Sequence, residues 1–370
     1  MRAALFSKIG DLPEVTEVPD PSANPGDVVV EVVAAPVLPY AAEVFSGKRP
    51  MLFELPFVPG TGAVGRIKSV GAGTTTFKGG DWVYCDPTLR ARDGSGLPAI
   101  SLQGLTAGGP EALPLQRQYA SGSWAEQLRL PLENVVALGN IDAANAPAWL
   151  AMGSMLVPYG GLLAVEFKPG ETVVINGATG NFGSSGVAVA LAMGASCVVA
   201  TGRNEAALKL LEERYGRRVR AVVVNGGAGE TAKIKAAAQA PIDVVLDILP
   251  PQASIDQVKV AVLAVRPGGR IALMGGVGMG TGAELSLPYP WLMRYNITIR
   301  GQWMYPREAI FRLVALVKSG MLDTQTYDIA EFPLARIKQA IEHAATTTGP
   351  FFKTVLRPML LGRCPLWPQK

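Results

Sequence analysis

The sequence predicts a two-domain α/β protein, with a doubly wound parallel sheet mid-chain and a β-rich domain built from the two ends. Three observations point there. The first 135 or so residues hold short β-branched runs punctuated by glycine. From about residue 145, short apolar strands alternate with helical patterns, as a parallel sheet covered on both faces requires. The chain has 370 residues, too many for one small core and enough for two.

In the N-terminal part, Val28–Val33 follows the turn Asn24–Asp27, Gly62–Gly71 is bracketed by glycines, and Asp81–Cys85 follows Lys78–Gly80. All three read as strands. The stretch Pro87–Arg117 is rich in Gly, Pro and Leu without a period, and is expected to be a long loop serving as lid, interface arm or surface loop. A small-residue helix, Asn145–Leu156, opens the alternating region. Strands are expected at Thr172–Asn176, Cys197–Thr201, Ala221–Val224, Val244–Ile248, Arg270–Met274 and Ile297–Gly301. Between them fall helices Ser184–Met193, Glu205–Arg214, Gly229–Ala240 and Ser254–Val265. Helices Pro306–Ser319 and Leu334–Ala345 and a strand near Lys353–Leu356 close the chain. The expected domains are 1–140, completed by 305–370, and 141–304. No solenoid-type repeat occurs.

Composition excludes several classes. With 34 basic and 30 acidic residues, the net charge is +4 on a chain only 17% charged, which predicts no nucleic-acid partner and no membrane patch. A hydrophobic share of 49% rules out disorder. The one histidine, His343, reads as a partly exposed residue near a helix end, so a Ser-His-Asp triad or a His-rich metal centre is not expected. Cys85, Cys197 and Cys364 form no CxxC and no disulfide framework. The uncharged run Thr172–Gly202 exceeds a membrane span in length, but its six glycines argue against a lipid-facing helix. The N-terminal apolar stretch is too short for a signal peptide, so a soluble, cytoplasmic protein is expected.

The most informative segment is Val173–Gly183 followed by Ser184–Ala190, a strand entering a glycine turn that opens a helix. This is the context of a dinucleotide fingerprint, although Ala178 replaces its first glycine and Gly177 stands one place earlier. Gly177, Ala178, Thr179, Gly180, Asn181, Phe182 and Gly183 are therefore candidate cofactor-binding residues. Gly180 allows backbone to approach a pyrophosphate, Gly183 allows close helix–strand packing, and the helix N-terminus favours anions. The next strand ends in Thr201, Gly202, Arg203 and Asn204, with no carboxylate before Glu205. An NAD site would place an acid there; Arg203 suits a 2′-phosphate, with a hydroxyl from Thr201 and a backbone N–H from Gly202. The expected cofactor is NADPH.

The order of landmarks resembles the zinc-free branch of the medium-chain dehydrogenase/reductase superfamily, the quinone oxidoreductase-like and enoyl reductase-like proteins. The resemblance rests on Phe57–Gly65, Phe77–Val83, Gly122–Glu126, Lys168–Val174 and the Gly177–Gly183 turn, in that order over residues 1–357. It implies a GroES-like β-barrel catalytic domain, a Rossmann domain inserted in it, and substrate bound in the cleft between them. Zinc-dependent relatives carry Cys where this chain has Leu38 and His where it has Thr61, and the cysteine cluster of a structural zinc is absent from 87–117. No metal is therefore expected. Zinc-free relatives often have an Asn and an acid where Leu38 and Ala41 stand, and a Thr-Ala-Tyr where Val157-Pro158-Tyr159 stands.

Without a metal, conjugate reduction of an α,β-unsaturated carbonyl is the easiest chemistry to assign, because its charge spreads into an enolate that hydrogen bonds can hold. Tyr40, two residues beyond the lost ligand position, is the candidate proton donor. The resemblance places Gly275, Gly276 and Val277 past the nicotinamide and Tyr215 and Asn225 beside the adenosine. Trp303 and Tyr305 are candidates for lining the substrate cleft. Lys353 resembles the family's terminal Gly-Lys without its glycine. The expected assembly is a homodimer acting on a small molecule. Quinone reduction, and a non-catalytic NADPH-binding role, remain open as alternatives.

Overall fold

The computed structural model describes residues 1–93 and 98–359. Cys364 and residues 94–97 of the expected loop lie outside them. The chain forms two compact units: Met1–Ala151 with Tyr327–Thr347 and the chain from Lys353, and Met152–Thr326 with Thr348–Phe352.

In the first unit, β1 (Arg2–Leu5) and β2 (Glu14–Glu17) make an antiparallel pair. Strand β3 (Asp27–Val37) leads through a turn into the short helix α1 (Ala41–Phe45), then β4 (Ala63–Val70) and β5 (Trp82–Cys85). Three very short strands follow, β6 (Thr88–Arg90), β7 (Ile100–Leu102) and β8 (Thr106–Ala107), with helix α2 (Leu113–Gln118). After β9 (Gln127–Pro131) and β10 (Val135–Ala137), α3 (Ala146–Trp149) ends this part.

The second unit runs α4 (Ala151–Ala164), β11 (Thr172–Asn176), α5 (Asn181–Ala192), β12 (Cys197–Gly202), α6 (Glu205–Tyr215) and β13 (Val219–Val223). It continues through α7 (Glu230–Ala238), β14 (Val244–Asp247), α8 (Ile255–Val262), β15 (Arg270–Leu273), α9 (Tyr289–Arg294), β16 (Thr298–Gly301) and α10 (Ala309–Lys318). Its sheet has the order β13-β12-β11-β14-β15-β16, every pair parallel. The first strand lies at the centre and the order reverses there. Such a switch point opens a crevice at the strands' carboxyl ends, between β11 and β14.

The chain then returns to the first unit as β17 (Asp328–Pro333), α11 (Ile337–Thr346) and β18 (Phe352–Arg357). The main sheet there reads β10-β5-β4-β3-β18-β17, with β9 also on β3. Its core joins Val28, Val30 and Val32 to Ile67, Leu128 and Leu356. His343 on α11 is half-buried, with Nδ1 3.1 Å from Thr354 Oγ1 and its ring beside Phe332.

The expected loop Pro87–Arg117 is the main correction. It contains the β6-β7-β8 sheet and α2. Strands of two or three residues are too short to show a period, and side-chain hydrogen bonds to and from the surrounding chain hold the segment. Asn134 Nδ2 donates to the carbonyls of Asp86 and Thr88, and Gln103 Nε2 donates to those of Ser121 and Arg129. Among the described residues no helix is long and apolar enough to cross a membrane.

Candidate active site

Strand β11 ends in Asn176, and the chain turns at Gly177 with φ +95°, a conformation that favours glycine. A Cβ on Gly183 would fall 2.0 Å from the Gly177 carbonyl oxygen, so only glycine lets α5 pack this closely on the turn. Gly180 differs: a Cβ there would meet nothing nearer than 4.0 Å. Space above that residue is open, and no side chain caps α5. Unpaired N–H groups at a helix start beside open space suit a phosphate. A dinucleotide fits this cradle.

Beneath the turn lies a buried polar network. Thr201 Oγ1 donates to Asn176 Oδ1 at 2.7 Å, and Asn176 Nδ2 donates to Asp247 Oδ1 at 2.7 Å. Asn176 and Asp247 end β11 and β14, the strands flanking the switch point, and Thr201 is the last residue but one of β12 beside β11. Burial pushes the Asp247 carboxyl up to about 7, against hydrogen bonds from Asn176 and the Leu249 N–H that favour its ionised form. A Cβ on Gly275 would lie 2.5 Å from Asp247 Oδ2, so glycine is needed there too. The expectation of an outward Thr201 hydroxyl is corrected: it is fully buried and committed to Asn176. What β12 presents beyond its end is Arg203, whose side chain is exposed, while Asn204 caps α6 by accepting from the Ala207 N–H.

The remaining candidates of this unit fall as follows. Asn181 Nδ2 donates to the Phe352 carbonyl, and Ser184 Oγ accepts from the Phe351 N–H. The Tyr215 ring meets the Phe351 ring edge-on at 6.3 Å. Asn225 is exposed, its N–H bonded to the Glu230 carboxylate. The Gly276 N–H donates to the Leu249 carbonyl, and Val277 packs against the sheet core. Trp303 is 45% exposed, whereas Tyr305 is buried beneath Gly160 of α4.

In the first unit, Tyr40 sits at the start of α1 with the Arg49 guanidinium over its ring, 3.9 Å from the centroid. Arg49 also lies 3.8 Å from Glu43, and its Nε is buried without a partner. Burial raises the Tyr40 phenol above its ordinary value, Arg49 opposes that rise, and Glu43 adds to it. Leu38 and Ala41 line a recess with Val44, Phe57, Thr61 and Leu105, and Tyr40 is not among its walls. Lys353 lies 5.9 Å from the Tyr327 ring centroid, and burial lowers its ammonium to about 7.

A barrel-type unit joined to a 3-2-1-4-5-6 parallel sheet with a phosphate-ready turn is the architecture of nicotinamide-dependent oxidoreductases. Residues 24–140 match the family model described as alcohol dehydrogenase GroES-like domain, and 182–319 match the one described as zinc-binding dehydrogenase. The chain belongs to the medium-chain dehydrogenase/reductase superfamily, whose members bind nicotinamide cofactors. It is 31% identical over 210 residues to an alcohol dehydrogenase of Moraxella sp., covering 52% of this chain and 56% of that enzyme. It is 29% identical over 276 residues to an acryloyl-coenzyme A reductase of Metallosphaera sedula, covering 75% of this chain and 77% of that one. The thermostable alcohol dehydrogenase of Pyrobaculum aerophilum shares the fold at a TM-score of 0.73 and 24% identity, over 97% of this chain and 99% of that one.

The second description implies zinc, and the residues do not fit it. Among the described residues no group of three or more His, Cys, Asp or Glu could hold a metal ion. Leu38 and Thr61 offer no donor set, and Cys85 is a fully buried thiol whose ionisation burial suppresses. The polar network beneath the turn was missed in the sequence. Its signal is a polar residue ending each apolar run, Asn176 after Thr172–Ile175 and Asp247 after Val244–Leu246.

Proposed function

We propose that this protein is an NADPH-dependent, metal-independent reductase of the C=C bond of α,β-unsaturated carbonyl compounds. The observation behind this reading is the nearly apolar setting of Leu38 and Ala41, where Thr61 is the one polar side chain and no metal-ligating set occurs among the described residues. Reducing a carbonyl directly concentrates charge on an alkoxide, which calls for a strong electrophile. Reducing a conjugated C=C spreads the charge into an enolate, which one hydrogen-bond donor can stabilise.

Bound NADPH would supply the hydride. The Gly177–Gly183 turn and the uncapped start of α5 hold its pyrophosphate, and Arg203 holds the 2′-phosphate. Tyr40 donates the proton toward the substrate oxygen, with Arg49 stacked on its ring to favour the phenolate that donation leaves. The Metallosphaera relative, named for an α,β-unsaturated acyl substrate, supports the choice of bond.

The test is NADPH oxidation measured side by side on enones and quinones. Enone turnover supports the reading. Quinone turnover with enones ignored would move the assignment to quinone reduction, and tight NADPH binding without any oxidation would make this a binding protein.

We also propose a homodimer. Strand β16 is an edge strand with most of its residues exposed, and Tyr289, Met293 and Tyr295 of the same unit are exposed apolar residues nearby in sequence. Light scattering should give twice the chain mass, and Met293→Lys should shift the equilibrium toward monomer. A wild-type monomer at all concentrations would refute it.

A further inference from the structure

We infer that Asp247 is a positioning residue of the cofactor crevice and that it takes up a proton when the dinucleotide binds. The inference rests on the cofactor part of the reading above for its ligand, and on the buried network for its chemistry.

Asp247 is the register partner of Asn176, and Asn176 is the last residue before the turn at Gly177. The Gly177 and Ala178 N–H groups both donate to the Thr201 carbonyl, while the Thr201 hydroxyl donates to Asn176. With Asn176 Oδ1 so occupied, its Nδ2 faces Asp247 and also donates to the Gln257 carbonyl at 3.2 Å. On its other side, Asp247 Oδ2 fills the space that a side chain on Gly275 would need. One carboxyl thus joins the turn after β11 to the turn after β15.

That carboxyl has no cation to balance it. Asp247 is 3% exposed, and only burial, the Asn176 amide and the Leu249 N–H act on its ionisation. Helices α4 and α5, which reach Leu246 through Gly161 and Gly186, carry no charged residue. On α8, Asp256 is exposed and accepts from the Ser254 hydroxyl, and Lys259 lies two residues beyond Gln257. Arg270 opens β15 at the far end of that strand and pairs with Glu171. Strands β11 and β12 bring no charge at all.

An ionised Asp247 is therefore an uncompensated negative charge beside the residue that leads into the phosphate cradle. The dinucleotide brings more negative charge to the same turn. Like charges in a poorly screened interior repel, so the bound dinucleotide raises the proton affinity of the carboxyl. Since burial has already brought Asp247 to about 7, the uptake falls in the neutral range. Linkage makes the effect reciprocal: dinucleotide affinity falls as rising pH strips the proton from Asp247.

The experiment titrates NADPH calorimetrically into wild type and Asp247→Asn, in PIPES and in imidazole buffer, between about pH 6 and about pH 8.5. The 2′-phosphate titrates in the same range, and its contribution cancels in the difference between the two proteins. Wild type should take up a few tenths of a proton more than the variant at about pH 7. Its affinity should fall roughly five- to tenfold across the range relative to the variant, the effect of a shift of about one pKa unit. At the alkaline end Asp247→Asn should bind NADPH more tightly than wild type, which loss of a purely structural residue would not produce. Equal proton uptake in both proteins, or a variant weakened by one factor at every pH, overturns the inference. Should the variant not fold, NADH binding to wild type decides, because NADH has no 2′-phosphate: binding without proton uptake overturns the inference and leaves the cofactor reading standing. A wild type that binds neither cofactor removes that reading and the inference with it.

Discussion

Two side chains hold the chemistry proposed here, and each can be removed singly. Arg203 is exposed at the start of α6, so Arg203→Ala takes away charge without disturbing packing. NADPH affinity should fall roughly 10- to 100-fold, the worth of a charge-assisted hydrogen bond, while NADH affinity changes little. Equal weakening of both cofactors would mean that Arg203 supports α6 and does not read the phosphate. Tyr40→Phe removes one hydroxyl and little volume. Its kcat should drop roughly 10²–10³-fold at unchanged NADPH affinity, the usual cost of losing one transition-state donor. A rate within a factor of about three would assign proton delivery to solvent. Arg49→Met should lower kcat in wild type and have no further effect in Tyr40→Phe, because the guanidinium acts through the ring beneath it.

At the scale of elements, the strand ends around Asn176 and Asp247 make a pH-dependent joint. The Asp247 carboxyl ionises near 3.8 when unfolded and at about 7 in the folded protein, where burial opposes its charge. Between those values the folded state binds more protons than the unfolded one, so stability falls as pH rises through the window and levels off above it. Asp247→Asn cannot ionise. Its melting temperature should therefore vary less than that of wild type between about pH 5 and pH 8, and an unchanged pH dependence would place the titrating group elsewhere. The parallel strands were legible in the sequence because most of them are apolar runs bounded by a glycine turn or a helix, the exposed edge strand β16 being the exception. The network below them was not, since a single polar residue at a strand end does not say which neighbour it meets. The same holds for Arg49 on Tyr40, a contact set by the turn after α1 and by no periodicity. Strands β6, β7 and β8 were invisible for another reason. At two or three residues each, they are fixed by Asn134 reaching in from outside the segment and by Gln103 reaching out of it to the Ser121 and Arg129 carbonyls.

For the whole molecule, the absence of a donor set among the described residues predicts that purified protein contains no stoichiometric zinc and keeps its activity in chelator. One tightly bound zinc per chain would refute that. Another expectation follows from the order in which the chain is made. The parallel-sheet unit is nearly continuous in sequence, from Met152 to Thr326, and can close on itself as soon as it emerges from the ribosome. The first unit cannot. Val37 of β3 waits for Thr354 of β18, and until that partner is synthesised the Ala35–Val37 end of β3 lacks one of its hydrogen-bonding neighbours. A nascent chain stalled before residue 327 should accordingly expose an incomplete sheet, lacking β17 and β18, tethered to a nearly complete neighbour. Such chains should recruit holdase chaperones and aggregate when these are withdrawn, until the last segment zips β3 shut.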